Sequence, residues 1–532
     1  MKMTSAFVAA FMAAGAAVTL HAQIKEGPLP RLVKKDGRFA LFVDDAPYLM
    51  LGAQVHNSSA WPATLPKVWP AMEYLNVNTV EIPIYWEQFE PHPGQYDYTV
   101  IDTLLTEARQ HRVHLVLLWF GTWKNGSQHY MPEWMKLAPE RYPHMVDKNG
   151  RVVDSPSPYA TTSLEADKIA FTAFMRHLKA ADPERTVLMV QVENEPGTWG
   201  SLRDYSPTAE KLFQAPVPPE VLRAMQGRTA SPSPNWQEAF GPEAEVCFHA
   251  WSVARYVGQV AAAGKAVYPL PLYANAALRD PLKPGAPGTY ESGGPTDNVL
   301  AIWKVAAPAL DILAPDIYER DPAAYLKVLE LYHRDDNALF VPETGGADKA
   351  RFFFSALGLQ TVGFSPFGMD YSRERDTGPG SRQPDEFLAW AMNYRLIGPM
   401  QREIARLNFE GKLQAVAEEQ GKATQTLVFG PWNAVVSYGA KRNNRAVGNP
   451  EPSGRVLVAQ LKDNQFLVTG FSCRVDFRPA DAGQQRQFLR VEEGTYENGA
   501  FKFLRIWNGD ETDWGLNFGA EPVVLRVSVA TY

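Results

Sequence analysis

Two carboxylates stand out by their setting. Glu195 ends the segment Thr186-Val187-Leu188-Met189-Val190-Gln191-Val192-Glu193-Asn194-Glu195-Pro196-Gly197, and Glu343 follows Ala338-Leu339-Phe340-Val341-Pro342 and precedes Thr344-Gly345-Gly346. Each is an apolar run that stops at an acid and passes into turn formers. Unbroken apolar runs suit strands buried on both faces, as in a parallel sheet, and in a closed parallel barrel the strand ends and the loops after them build the active site. Two carboxyl groups facing each other across an anomeric carbon can protonate the leaving oxygen and attack the ring, which is the chemistry of glycosidic bond hydrolysis. The pairing, rather than either acid alone, predicts Glu195 and Glu343 as the reacting groups. Glu193 competes with Glu195, because residues two apart on a regular strand share a face. Asn194 tips the choice to Glu195, on the condition that the strand loses its pleat there so that amide and acid both reach the site.

The elements that must hold these acids follow a repeating order. Strand candidates are Tyr48–Val55, Val77–Ile84, Val113–Phe120, the run ending at Glu195, Ala266–Tyr273, Leu310–Ala314, the run ending at Glu343, and Gln360–Ser365. Amphipathic stretches such as Ile101–Gln110 and Leu164–Lys179 lie between them. Eight strands alternating with helices predict an α/β fold, a (β/α)8 TIM barrel, over residues 23–400. Residues 215–219, 228–234 and 283–295 read as loop insertions on the barrel, able either to roof the site or to make a subunit contact. From residue 401 to 532 the pattern changes to short alternating runs with turn residues, which predicts a smaller antiparallel β-sandwich.

Composition narrows the function. At 532 residues, 45% hydrophobic and 21% charged, the chain is of ordinary globular make-up. A formal net charge of −7 without a clustered basic face argues against a nucleic-acid partner, and no stretch after the start is long enough to span a membrane. Residues 1–22 have the layout of a secretory signal, so the mature protein is expected to be secreted or periplasmic. Cys247 and Cys473 are the only cysteines and are expected as free buried thiols. No His-Glu-x-x-His sequence, nucleophile elbow or phosphate-cradling loop is present.

These residues resemble clan A glycoside hydrolases and, within them, the shorter bacterial family 35 β-galactosidases with a β-rich C-terminal region. The resemblance rests on Asn194-Glu195, on Glu343, and on Trp86-Glu87-Gln88-Phe89-Glu90-Pro91 with Gly94, Tyr96 and Asp97 after the second strand. It implies a retaining, exo-acting hydrolase of terminal β-D-galactose with Glu195 as acid/base and Glu343 as nucleophile. It also implies that Asn194 contacts the sugar and that Tyr318 hydrogen-bonds the nucleophile. Pro196 and Thr344-Gly345-Gly346 stand where many members carry aromatic residues, and the third-strand exit Trp119–Gly126 lacks a common acidic residue, leaving Lys124 or Asn125 for that task. His56 and Asn57 at the first strand exit are candidate hydroxyl ligands, and Trp119 and Trp123 are the preferred stacking platforms. The chemistry requires no metal or organic cofactor. The expected partner is a carbohydrate with terminal β-galactose, and a homodimer is compatible with the insertions. The rival readings are a clan A β-glucosidase or endo-β-glycanase, and a non-catalytic carbohydrate-binding protein on the same scaffold.

Overall fold

The computed structural model describes residues 27–225, 233–372, 385–442, 445–497 and 499–532. The proposed signal segment lies outside them, as does part of the 228–234 insertion.

Eight parallel strands form the barrel: β1 (Met50–Gln54), β2 (Thr79–Tyr85), β3 (His114–Lys124), β4 (Val187–Asn194), β5 (Leu272–Ala277), β6 (Ile312–Ile317), β7 (Glu343–Thr344) and β8 (Gly363–Phe364). Neighbours pair in sequence order, with β8 beside β1. A parallel bridge between Val341 and Phe364 joins the remaining edges. Every residue of β1, β2, β4 and β6 is buried, as two-sided packing requires.

Among the strands that differ from their expected bounds, three do so for clear local reasons. The run Ala266–Tyr273 is split: the helix Ala244–Val267 continues into it and the strand starts only at Leu272. Pro269 and Pro271 lie between, where neither helix nor ladder can use a residue without an N–H. The seventh strand shrinks to two residues because Pro342 interrupts the ladder after Val341. The third runs four residues past Phe120, and this carries Lys124 alongside Asn194.

A three-stranded sheet (Arg31–Lys35, Arg38–Val43, Ala46–Tyr48) leads into β1. Helix Gln401–Phe409 is tied to it through Arg402, whose guanidinium donates to the carbonyls of Val43, Ala46 and Pro47. The C-terminal region is a sandwich of a six-stranded and a four-stranded antiparallel sheet. Its interior holds Trp432, Val436, Phe466, Val475, Phe477, Leu525 and Val527. The outer face of the larger sheet belongs instead to the barrel's apolar core, where Leu413, Ala415, Leu457, Leu467 and Phe471 meet helix Phe352–Gly358. The sandwich is therefore docked on the barrel, with Phe354 and Phe471 in edge contact at 6.1 Å. Both cysteines are free and buried.

Candidate active site

The site begins with a break in β4. Glu193 and Glu195 have positive φ, 63° and 43°, a region that non-glycine residues enter only when the surroundings hold them there. The regular alternation of the strand ends at this point, so Glu193 and Glu195 face different environments. Glu193 turns to the layer between barrel and helix Thr161–Ala181, where Oε2 accepts the N–H of Trp123 at 2.7 Å. Asp167 shares that layer, accepting Trp119 Nε1 at 3.0 Å and Thr122 Oγ1 at 2.6 Å. Burial, then the charge of Asp167, push Glu193 well above the usual carboxylate range.

Glu195 faces the barrel mouth. Its N–H donates to Asn275 Oδ1 at 2.9 Å, and Asn275 Nδ2 donates to Asp316 Oδ2 at 2.6 Å. Asp316 pairs in register with Glu343 across β6 and β7. Tyr318 completes the arc, its hydroxyl donating to Glu343 Oε1 at 2.6 Å. Burial, then the charge of Glu343, raise Glu195 to about 7, against the lowering effect of Lys124 and Asp316. Asp316 is pushed well up by burial and by both glutamates.

Lys124 sets the orientation of Asn194. Its ammonium donates to Asn194 Oδ1 at 2.7 Å and to Asn125 Oδ1 at 2.6 Å. An ammonium can only donate, so the carbonyl oxygen of Asn194 must face it and Nδ2 is left for another acceptor. That nitrogen is buried and has no protein partner. Asn57 Oδ1, Asp316 Oδ1, Glu343 Oε2 and both oxygens of Glu291 are buried and unpartnered as well. Buried polar atoms are ordinarily bonded, and a polyhydroxylated ligand would satisfy a set of this kind.

His56 is fixed by Asp370, which accepts its N–H at 2.7 Å and its Nδ1 at 3.1 Å. Burial would raise Asp370, yet hydrogen bonds from His56 and Ser372 bring it to about 2. Trp119 and Trp123 are not stacking platforms. Both are fully buried, Trp119 stacked on Phe174 at 5.4 Å and Trp123 edge-on to Tyr256 at 4.7 Å. An indole with no exposed face cannot receive a sugar ring. The Trp86–Asp97 motif also serves the scaffold: Glu90 accepts Trp86 Nε1 at 2.8 Å and the Gly94 N–H at 2.7 Å, closing its own loop.

Besides the positioning residues Asn275 and Asp370, three residues near the mouth were missed by sequence reasoning. Glu291, on the 283–295 insertion, is 1% exposed and lies against Gly126 and Gly197. A Cβ at Gly126 would come within 2.6 Å of Glu291 Oε1, and one at Gly197 within 2.9 Å of Glu291 Cγ, so both positions need glycine. The neighbouring Ser292 is bridged to Thr198 by backbone hydrogen bonds of 2.8 and 3.0 Å, which pin the loop. Trp199, 52% exposed beside Gly126, and Trp61, 42% exposed and stacked on Tyr85 at 5.4 Å, are the accessible aromatics after β4 and β1. Trp199 follows Glu195 by four residues and was open to notice; nothing in the sequence separates Glu291 from other loop acids.

Residues 57–257 match the family model of glycoside hydrolase family 42, described as β-galactosidase. The chain is a glycoside hydrolase. The matched part of its barrel, residues 57–257, is similar to the family 42 β-galactosidases, and this replaces the expected family 35 assignment. Asn194 and Glu195 of this hydrolase lie inside the matched segment and Glu343 lies beyond it. Residues 390–519 match a second family, described as a domain of unknown function. No curated protein matches the chain. Among solved structures, a β-galactosidase from Bacillus circulans sp. alkalophilus superposes with a TM-score of 0.51 at 10% identity, covering 90% of this chain and 99% of that one. A Rahnella sp. R3 β-galactosidase gives 0.46 at 13% identity over 68% of this chain and 58% of its own. The catalytic domain of a Paenibacillus polymyxa β-amylase gives 0.48 at 12% identity over 64% and 96%. At these identities the likeness concerns the fold. Among the described residues no helix is long and apolar enough to cross a membrane and no His, Cys, Asp and Glu cluster could hold a metal.

Proposed function

We propose that the hydrolase is a retaining exo-β-D-galactosidase in which Glu195 is the acid/base and Glu343 the nucleophile. The observation that carries this reading is the Tyr318–Glu343 bond of 2.6 Å opposite a Glu195 raised to about 7. At neutral pH one carboxyl then holds a proton for the leaving oxygen. The other, oriented by a phenol donor, attacks the anomeric carbon. The bond to the aglycone breaks as Glu195 gives up its proton and Glu343 becomes a glycosyl ester. Esterification removes the charge that held Glu195 high, so its affinity for protons falls and it can take one from the water that cleaves the ester. Asn194 Nδ2, freed by Lys124, donates to a ring hydroxyl, and His56 and Asn57 serve others. Ser292 pins the 283–295 loop to Thr198 and sets Glu291 within reach of the Glu195 charge, which supports release of terminal sugars over internal cleavage. The composition of residues 1–22 supports export to the periplasm.

The test is the rate on aryl β-glycosides of galactose, glucose, mannose, xylose and fucose, for wild type and Glu343→Gln, with NMR of the first-formed anomer. Galactoside preference, β-anomer first, and loss in the variant are expected. Preference for another sugar would overturn the substrate and keep the mechanism; first formation of the α-anomer would overturn the double displacement.

A further inference from the structure

A cavity of about 540 Å³ lies on the sandwich, lined by Arg474, Trp507, Asp510, Glu511, Trp514 and Asn517. We infer that it is a glycan-binding site, taking a neutral sugar unit of a poly- or oligosaccharide against the face of Trp514. Arg474 and Asn517 are cross-strand partners on Cys473–Pro479 and Leu516–Phe518, and the 507–515 segment overhangs them. Their neighbours Cys473, Val475, Leu516 and Phe518 fill the sandwich interior, so the Arg474 and Asn517 side chains stand on the opposite, outer face.

Trp514 is 74% exposed, the most exposed tryptophan described. An indole left in water forfeits the burial that usually offsets its apolar area, and a flat apolar face beside hydrogen-bonding groups is what a pyranose stacks on. The polar groups around it are available. Arg474 Nε is buried without a partner, and among the described residues the side chains of Asp510 and Asn517 make no hydrogen bond, whereas Glu511 is held by Arg505 at 2.8 Å. Trp507 is anchored by Nε1 donating to Glu493 at 2.6 Å and forms the floor, only 8% exposed. A donor, a carboxylate acceptor and an amide together match vicinal hydroxyls. With Glu511 already paired to Arg505, Asp510 stands against Arg474 and leaves the lining no net positive charge to favour an anionic ligand. The ligand class follows from the hydrolase barrel on the same chain, since a site that holds a polymer keeps chain ends near the mouth by raising their effective concentration.

The experiment is affinity electrophoresis of the full chain in gels containing β-1,4-galactan, arabinogalactan or dextran, run on Glu343→Gln so that the polymer survives. The comparison is that protein with and without Trp514→Ala, and separately with Asn517→Ala. Retardation by a β-galactose-bearing polymer, weakened about tenfold or more by Trp514→Ala, is expected. Trp514→Ala in the otherwise wild-type chain should leave the aryl β-galactoside rate unchanged, because that small substrate uses the barrel alone. Absence of retardation in all three gels, or retardation that both variants keep, would overturn the site. The aryl-glycoside rates judge the barrel independently, so failure of one reading is distinguishable from failure of the other.

Discussion

Asp167–Glu193 and Glu195–Glu343 are two acid pairs served by one strand end, and they lie on its opposite sides. Both are buried enough to raise a carboxyl far above its solution value. The first pair is enclosed by Trp119, Thr122, Trp123 and Tyr256 and meets no solvent. The second opens on the barrel mouth beside a half-exposed tyrosine and several unpartnered polar atoms. Burial and like charge therefore do not distinguish a reacting acid from a structural one here. Access for a substrate does.

Loss of the proposed reacting pair should have the largest effect. Glu195→Gln is expected to lower kcat on poorly activated galactosides by about 10²–10⁴-fold. It should lower kcat far less on aryl galactosides with acidic leaving groups, and Glu343→Gln should be worse on both; steady-state rates across a leaving-group series check this. On the hidden side, Trp119→Ala should destabilise by about 3–5 kcal/mol by removing a fully packed indole. Glu193→Ala should cost about 1–3 kcal/mol by stranding the Trp123 N–H. Denaturant midpoints measure both. Glu193→Gln keeps an acceptor for Trp123 and should leave the pH profile alone. If it abolished turnover as Glu195→Gln does, the contrast between the two pairs would collapse.

The pH dependence sharpens the same contrast. In the proposed mechanism Glu195 acts in its protonated form, and its carboxyl is raised to about 7, so kcat/KM should fall as pH rises through that value. Lys124 lowers that value, so Lys124→Met should move the basic limb to higher pH and raise KM as Asn194 loses its clamp. The smallest effect is expected from Glu291→Gln. Burial, then the charge of Glu195, hold Glu291 well above the usual carboxylate range, and the groups that set Glu195 are Glu343, Lys124 and Asp316, so the limb should hardly move. A shifted limb in that variant would show that Glu291 carries charge at working pH.

Much of this was written in the chain. The apolar run Val187–Val192 allowed only a two-sided buried strand, and the switch to alternating runs past residue 400 marked the sandwich, because periodicity reports which faces meet the core. Glu195 and Glu343 were legible since an acid at the end of such a run has few places to go but the mouth. The sequence could not say whether Glu193 or Glu195 faced that mouth. Two positive φ angles decided it, and these depend on the packing of Asp167 and Asn275 from distant segments. Nor could it say which tryptophans stay accessible: Trp119 and Trp123 lie at the end of β3 and Trp199 just past β4, but only the tertiary structure lays helix Thr161–Ala181 over the first and Tyr256 over the second. Local pattern fixes the type and period of an element, whereas exposure and proton affinity belong to neighbours that the chain brings together from far away.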